Sequence, residues 1–215
     1  ATDRGPRVIA EIKRASPSKG LIRKDFSVVD LARQLAAGGA AALSVLTEMH
    51  YFQGCLRYLR LASDNVGIPV LRKDFIVDTY QLCEARAFGA SAVLLIAAAL
   101  DDAALKRLKA HAEELDLDVL AEVHNEEELE RVLAAGCRIV GVNSRNLKTF
   151  EVDLDLGARL LEALPDTVIK VAESGIRNAE DIGRMAASGT HAFLIGETLM
   201  RAKSPQRALQ ELMGG

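Results

Sequence analysis

The sequence feature that most constrains the fold is a recurring glycine that ends a helical segment and precedes a short apolar strand. It occurs at Gly39, Gly89, Gly136 and Gly189, with spacings of 50, 47 and 53 residues. Glycine suits the position after a helix because it adopts a left-handed backbone at little cost. Each spacing holds two strand–helix units, so the repeat indicates a chain built from many such units in succession.

Hydrophobic periodicity predicts eight apolar strands, each followed by a helix after a short connection. The predicted strands cover 7–13, 40–46, 69–72, 92–96, 119–123, 139–143, 168–172 and 192–195. The predicted helices cover 27–38, with Ser27 as its cap, 55–64, 79–87, 101–115, 126–135, 156–164, 179–188 and 205–212. This order favours a single (β/α)8 barrel over residues 1–215. An open doubly wound sheet is the weaker alternative, because no strand is followed by a GxGxxG turn.

Composition excludes several classes of protein. The chain is 49% hydrophobic but only 4% aromatic, which suits a parallel sheet packed with aliphatic side chains. The net charge is −3 without a basic stripe, and no apolar run approaches membrane-spanning length, so we expect neither a nucleic-acid nor a membrane partner. The cysteines Cys55, Cys83 and Cys137 lie far apart and indicate reduced thiols in the cytoplasm. The histidines show no metal-ligand spacing, so no metal is expected.

Charged and polar residues cluster where the predicted strands end, which is where barrels of this type carry their catalytic groups. Such charges are costly to bury unless they pair with each other or serve a ligand. A base at Glu122 would need a pKa raised by burial, and an acid at either lysine would need a lowered pKa. A self-satisfied network of ion pairs is the alternative. The residues concerned are Glu11, Lys13, Lys73, Asp74, Glu122, Asn143, Arg145, Glu173, Ser174, Gly196 and Glu197.

The segments 173–176 and 195–198 follow the last two predicted strands, where such barrels commonly bind phosphate through backbone N–H groups. Gly175 and Gly196 permit close approach there, so the sequence predicts a phosphate ester as substrate. Tyr51 and Phe52, beside the polar strand ends, would either stack on a flat ring or anchor a loop. His124 follows Glu122 and is interpreted as structural rather than catalytic.

Seven motifs, in order over nearly the whole chain, resemble the indole-3-glycerol-phosphate synthase family of tryptophan biosynthesis. None of them would suffice alone, but together they are highly specific. They are Glu11-Ile-Lys-Arg-Ala-Ser-Pro-Ser18, Ser44-Val-Leu-Thr-Glu48 with Tyr51-Phe-Gln-Gly54, Leu71-Arg-Lys-Asp-Phe75, Glu122-Val-His124, Gly141-Val-Asn-Ser-Arg-Asn-Leu147, Glu173-Ser-Gly175 and Ile195-Gly-Glu-Thr-Leu-Met200.

The resemblance implies a carboxy-lyase that needs no cofactor and converts 1-(2-carboxyphenylamino)-1-deoxyribulose 5-phosphate to indole-3-glycerol phosphate. It implies that Lys73 protonates the ketone oxygen during ring closure and that Glu122 acts in the later dehydration. Lys13 would contact anionic substrate groups and is a candidate donor of the dehydration proton. Glu11 would support the lysines, and Asn143 would line the site. The division of steps between the two lysines is left open.

The resemblance also implies the binding residues. Ser16 and Pro17 would lie on a mobile loop that covers the substrate, and Arg145 would steady a neighbouring loop. The aromatic ring would lie against Phe52, Phe75, Leu94 and Glu173, and the phosphate against Ser174, Gly175, Gly196 and Glu197.

Family members usually carry a helical segment before the first strand, and here the first strand starts almost at once. From the sequence we therefore expect a barrel lacking most of that segment, acting as a monomer or weak homo-oligomer. One alternative is another phosphate-binding barrel, such as phosphoribosylanthranilate isomerase, although it would not explain Lys13, Lys73 and Glu122 together. The other is a catalytically silent barrel that only binds a ligand or partner.

Overall fold

Eight parallel strands close into a barrel in the computed structural model, which describes residues 6–146 and 149–214. Each strand pairs with its neighbours in chain order, and β1 also pairs with β8, which closes the sheet. The predicted (β/α)8 architecture is therefore confirmed. The strands are β1 Arg7–Ile12, β2 Ala42–Leu46, β3 Val70–Lys73, β4 Ala92–Ile96, β5 Asp118–Val123, β6 Ile139–Asn143, β7 Ile169–Glu173 and β8 Ala192–Ile195.

Helices follow all eight strands and surround the barrel. They are α1 Val28–Ala37, α2 Leu56–Ser63, α3 Thr79–Ala87, α4 Asp102–Glu114, α5 Glu126–Ala134, α6 Leu154–Ala163, α7 Ala179–Ala187, α8 Glu197–Arg201 and α9 Pro205–Leu212. Ser27 caps α1 as predicted, accepting a hydrogen bond from the backbone N–H of Asp30. None of the helices in the described part of the chain is long and apolar enough to cross a membrane.

The glycine repeat has the backbone geometry expected of it. Gly39, Gly89, Gly136 and Gly189 all have positive φ, between +74° and +96°. These glycines follow every second helix, α1, α3, α5 and α7, and turn the chain into the next strand at low steric cost. The repeat therefore determines where four of the strand–helix units begin.

Three short elements are absent from the sequence prediction. A two-stranded hairpin pairs Ala15–Ser16 with Gly20–Leu21, a 3-10 helix covers Ala97–Ala99, and α8 begins directly after β8. The two strands of the hairpin have two residues each, the 3-10 helix has three and α8 has five, so all are too short to show a hydrophobic period. The hairpin gives a definite shape to the first loop, which the sequence indicates only as polar and mobile.

Two apolar layers support the barrel. A large one lies between the strands and the surrounding helices, and a small one fills the barrel interior. The interior layer contains only aliphatic side chains and forms a dry base beneath the polar ends of the strands. Its buried members are Leu71, Leu94, Ile96, Leu120, Val171 and Leu194.

Candidate active site

A cavity of about 910 Å³ lies at the carboxyl ends of the strands. It brings together every site residue predicted from the sequence, although their roles remain predictions. Those residues are Glu11, Lys13, Ser16, Pro17, Phe52, Lys73, Phe75, Leu94, Glu122, Asn143, Arg145, Glu173, Ser174, Gly175, Gly196 and Glu197. Leu147, the last residue of one family motif, lies outside the described residues.

The centre of the cavity is the ammonium group of Lys73, at the end of β3. It donates a hydrogen bond to Glu122 Oε2 at 2.9 Å and lies 3.3 Å from Glu173 Oε2. The amide of Asn143 donates to the other oxygen of Glu122 at 3.0 Å. Glu122 and Glu173 are each only 2% exposed, so their contacts with Lys73 are made in a low-dielectric environment.

The ionisation of Lys73 and Glu122 differs from the sequence expectation. Burial alone would lower the pKa of Lys73, but the carboxylates of Glu122, Glu173 and Glu11 outweigh it and raise that pKa. Burial would likewise raise the pKa of Glu122, but Lys73 and His124 lower it well below its usual range. The expected raised pKa of Glu122 and lowered pKa of Lys73 are thus wrong, because the two groups form an ion pair.

Glu173 ionises differently from its neighbour. Burial raises its pKa to about 8, and the charge of Glu122 adds to the effect although Lys73 opposes it. One ammonium group therefore holds Glu122 as a carboxylate, while Glu173 keeps its proton at neutral pH. Glu173 Oε1 is buried and has no hydrogen-bond partner among the described residues. Gly141 leaves space for this oxygen, since a Cβ at that position would lie only 2.0 Å from it.

A second lysine–glutamate pair extends the polar base of the cavity. Lys13 Nζ lies 2.6 Å from Glu11 Oε1, at the end of β1. Gly196 gives this carboxylate room, since a Cβ there would lie 2.3 Å from Glu11 Oε1. We call this base the charged floor, and it consists of Glu11, Lys13, Lys73, Glu122, Asn143 and Glu173.

The wall after β7 and β8 is built mainly from backbone. Ser174 and Gly175 are both in left-handed conformation, with φ of 66° and 81°. The Thr198 hydroxyl donates to the carbonyl of Ile176 at 2.8 Å and joins the two loops. We call this wall the glycine rim, and it consists of Ser174, Gly175, Gly196 and Glu197.

Arg145 connects the glycine rim with the loop after β6. Its side chain donates to the carbonyl of Phe150 at 3.1 Å and lies 4.0 Å from Glu197. The backbone of Arg145 donates to Asn143 Oδ1 at 3.0 Å. These contacts match the predicted loop-steadying role, but they do not test its effect on the substrate.

The upper walls are apolar and partly open. Phe52, Phe75 and Tyr51 line the cavity, and Tyr51 is 64% exposed. Tyr51 is therefore not an anchor buried in the core. Ser16 and Pro17 reach the cavity from the hairpin after β1.

Sequence reasoning missed several contributors to the site. Glu48 accepts hydrogen bonds from the backbone N–H groups of His50, Tyr51 and Phe52, and so shapes the loop that carries the aromatic residues. Arg201, on α8, lines the cavity and donates to Glu197 at 2.9 Å. The glutamate could have been found from its place at the end of β2, but the arginine depends on an unpredicted helix. In the described ranges, no group of His, Cys, Asp and Glu is arranged to hold a metal ion.

The profile of the indole-3-glycerol phosphate synthase family matches residues 1–212. The chain belongs to this family. An indole-3-glycerol phosphate synthase from Koribacter versatilis (strain Ellin345) is 55% identical over 98% of this chain and 81% of the relative. Another from Albidiferax ferrireducens is 54% identical over 96% of this chain and 78% of the relative. The predicted family is therefore confirmed.

Solved structures of other proteins share the fold of this synthase-family chain. Thiamine phosphate pyrophosphorylase from Pyrococcus furiosus aligns with a TM-score of 0.70 over 96% of this chain and 93% of that chain, at 18% identity. N-acetylmannosamine-6-phosphate 2-epimerase from Clostridium perfringens aligns with a TM-score of 0.70 over 94% and 89%, at 14% identity. At such identities the likeness shows the fold alone.

Proposed function

We propose that the charged floor carries out the reaction of the indole-3-glycerol phosphate synthase family on this chain. Family membership makes the chain a decarboxylating lyase of tryptophan biosynthesis with a phosphorylated small molecule as substrate. The substrate is 1-(2-carboxyphenylamino)-1-deoxyribulose 5-phosphate, and the products are indole-3-glycerol phosphate, CO2 and water. The observation that carries the residue assignment is the Lys73 ammonium buried between two glutamates beside a second lysine.

In the first step, Lys73 donates a proton to the ketone oxygen while the ring carbon bearing the carboxylate attacks the carbonyl carbon. The new carbon–carbon bond closes the five-membered ring, and the ketone oxygen becomes a hydroxyl group. Departure of CO2 returns its bonding electrons to the ring and restores aromaticity. The buried position of Lys73 suits this step, because a charge develops on the oxygen where water is excluded.

In the second step, the new hydroxyl group leaves as water. Lys13 supplies the proton to the leaving oxygen, and Glu122 removes a proton from the adjacent ring methylene carbon, which forms the indole double bond. The low pKa of Glu122 keeps it ionised, which is the form that can accept a proton, and its basicity rises once Lys73 has given up its charge in the first step. Asn143 fixes one oxygen of Glu122 and so orients the other.

Substrate binding separates into three regions of the cavity. The phosphate lies against the glycine rim, where backbone N–H groups at Gly175 and Gly196 can approach it closely. The aromatic ring lies between Phe52, Phe75 and Leu94, above the charged floor. Ser16 and Pro17, on the first hairpin, cover the substrate.

Of the exposed aromatic residues in the described part of the chain, Tyr51, Phe75 and Phe150 line the cavity and Tyr80 lies elsewhere on the surface. Because only one of these exposed aromatic side chains lies outside the cavity, this distribution supports the proposal of a monomer or weak homo-oligomer formed by a single domain over residues 1–215. We place the enzyme in the cytoplasm, where its phosphorylated substrate would be available. Sedimentation velocity over a range of concentrations tests the oligomeric state.

The test is turnover of the carboxyphenylamino-deoxyribulose phosphate, followed by indole fluorescence. The parent chain should form product, and Lys73→Ala should lose about 10³-fold in kcat, in the range expected for a lost general acid. Lys109→Ala is the matched control, since Lys109 pairs with Glu113 on α4 and does not line the cavity. Full activity in Lys73→Ala would refute the assignment. Binding without turnover by the parent would instead identify a silent barrel.

A further inference from the structure

A histidine that does not line the cavity lies directly behind Glu122. His124 Nε2 is 3.3 Å from Glu122 Oε1, and His124 Nδ1 is 3.1 Å from Oε2 of Glu128. His124 Nε2 is buried and makes no hydrogen bond within the described residues. The imidazole ring therefore stands between two carboxylates, one from the charged floor and one from α5.

The geometry of this contact indicates which form of the ring is present. A carboxylate oxygen accepts hydrogen bonds, so the short contact with Glu128 requires a proton on His124 Nδ1. A neutral ring would then turn the lone pair of Nε2 toward the Glu122 carboxylate, which is repulsive. The imidazolium form places an N–H toward each carboxylate and relieves this repulsion.

Glu128 is itself held in place by the start of helix α5. Asn125 caps this helix and donates to Glu128 Oε1 at 2.8 Å, while its own side-chain oxygen accepts the backbone N–H of Glu128. Glu128 Oε2 also accepts the backbone N–H of His124 at 2.8 Å. The helix cap thus fixes Glu128, and Glu128 fixes the imidazole ring.

We propose that His124 is a positioning residue that, held by Glu128, keeps the Glu122 carboxylate charged and correctly oriented until it accepts the proton released in the dehydration. This inference rests on the proposed function, because it gives Glu122 the role of proton acceptor. It extends that function to two residues that do not touch the substrate.

The proposed reaction explains why a second cation is needed. Glu122 is paired with Lys73, but Lys73 gives its proton to the substrate in the first step. At that moment Glu122 loses its main counter-charge and would otherwise favour taking up a proton too early. An imidazolium at His124 maintains the carboxylate until the dehydration step.

The charged groups around the imidazole ring define the expected pH dependence. Glu122 and Glu128 face it directly, and Lys73, Glu173 and Glu11 lie beyond Glu122. Burial would lower the pKa of His124, but its two carboxylate partners raise it to about 9. The imidazolium is therefore present at neutral pH and is lost as the pH rises through this value.

The first test is the pH dependence of kcat in Glu128→Gln. This change removes one of the two carboxylates that favour the imidazolium. In the plot of kcat against pH, the decline at alkaline pH should therefore move to lower pH by about one unit. His124→Gln should have a low kcat that no longer falls near pH 9. Glu114→Gln is the matched control, because Glu114 pairs with His111 at 3.2 Å on α4, away from the charged floor. This control should keep the parent profile.

A purely structural role would give a different result. If Glu128→Gln lowers kcat by the same factor at every pH and leaves the decline at alkaline pH in place, the proposal is overturned. If His124→Gln fails to fold, Glu128→Gln still tests the proposal, because this variant keeps the buried imidazole ring of His124.

The second test does not need turnover. NMR titration of the His124 imidazole should give a midpoint near pH 9 in the parent, and lower midpoints in Glu128→Gln and in Glu122→Gln. If the parent shows no turnover, the proposed function fails, and this titration alone decides whether His124 senses both carboxylates. A midpoint unchanged by either substitution would refute the coupling.

Discussion

The charged floor and the glycine rim meet in consecutive residues at the end of β7, yet they are built by different physical means. Glu173 directs a buried carboxyl group to Lys73, whereas Ser174 starts a left-handed turn of backbone. The floor therefore depends on side-chain charges, and the rim depends on backbone shape. We expect floor substitutions to change kcat and rim substitutions to change KM.

Within the charged floor, the two glutamates that contact Lys73 also differ in their ionisation. Lys73 contacts Glu122 and Glu173 at similar distances, but it holds only Glu122 as a carboxylate. Two neighbouring buried carboxylates cannot share one ammonium group without strong repulsion, so one of them keeps its proton. This difference separates a proton acceptor from a neutral neighbour, and it gives contrasting predictions for two similar substitutions.

Among the substitutions that distinguish Glu122, Glu173 and the glycine rim, Glu122→Gln should have the largest effect. An amide cannot accept the proton released in the dehydration, so kcat should fall by about 10²–10³-fold. KM should change little, because Glu122 lies on the charged floor, away from the glycine rim where we propose that the phosphate binds. Steady-state kinetics by indole fluorescence would measure both values. A raised KM with unchanged kcat would show that Glu122 only binds substrate.

Gly175→Ala should affect binding instead. Its φ of +81° is unfavourable for alanine, and the new Cβ would lie 2.6 Å from Val152 Cγ1. The strain, about 1–2 kcal/mol for the left-handed backbone alone, should displace the rim loop. Because the displaced loop should bind the phosphate less tightly, KM should rise about tenfold while kcat stays near the parent value.

Gly136→Ala provides the control for the backbone cost. It has a similar φ of +74°, but nothing lies within 4 Å of the position of its Cβ. This variant should lose stability in thermal unfolding but keep the parent KM. A similar rise of KM in both variants would mean that general destabilisation, and not rim geometry, weakens binding.

The fold could be predicted almost completely from the sequence, because the glycine repeat and the apolar strands both depend on local chemistry. The boundaries of β4, β6, β8 and α3 agree with the structure to the residue. The hairpin after β1 and helix α8 could not be predicted, because strands and helices of two to five residues are too short for a hydrophobic period to be recognised in the sequence.

The membership of the site was predictable for a similar reason, since strand ends are local features that a closed barrel brings together. Its ionisation was not, because the pKa values of Lys73 and Glu122 depend on distances across the barrel. The contact of His124 with Glu122 was also missed. His124 lies one residue beyond the end of β5, so the alternation of side chains along a strand does not fix its direction, and only the structure shows where its ring turns.

Glu173→Gln should have the smallest effect on kcat, and it tests most directly whether Glu122 and Glu173 differ in their protonation. At pH 7 Glu173 is already largely protonated, so a neutral glutamine of similar shape should keep kcat within about threefold of the parent. A loss as large as that expected for Glu122→Gln would show that Glu173 acts as a carboxylate. Steady-state kinetics of the two variants at the same pH makes the comparison.

Although Glu173→Gln should hardly change kcat, it should change the free energy of unfolding in a way that depends on pH. The pKa of Glu173 is raised from 4.5 to about 8 on folding, so between these values the unfolded chain releases a proton that the folded chain retains. The contribution of this group to stability is therefore greatest below pH 4.5 and is lost as the pH rises toward 8. Urea unfolding should show Glu173→Gln gaining stability over the parent across this window. A gain that does not grow with pH would mean that Glu173 is ionised in the folded chain, and that Lys73 holds both carboxylates equally.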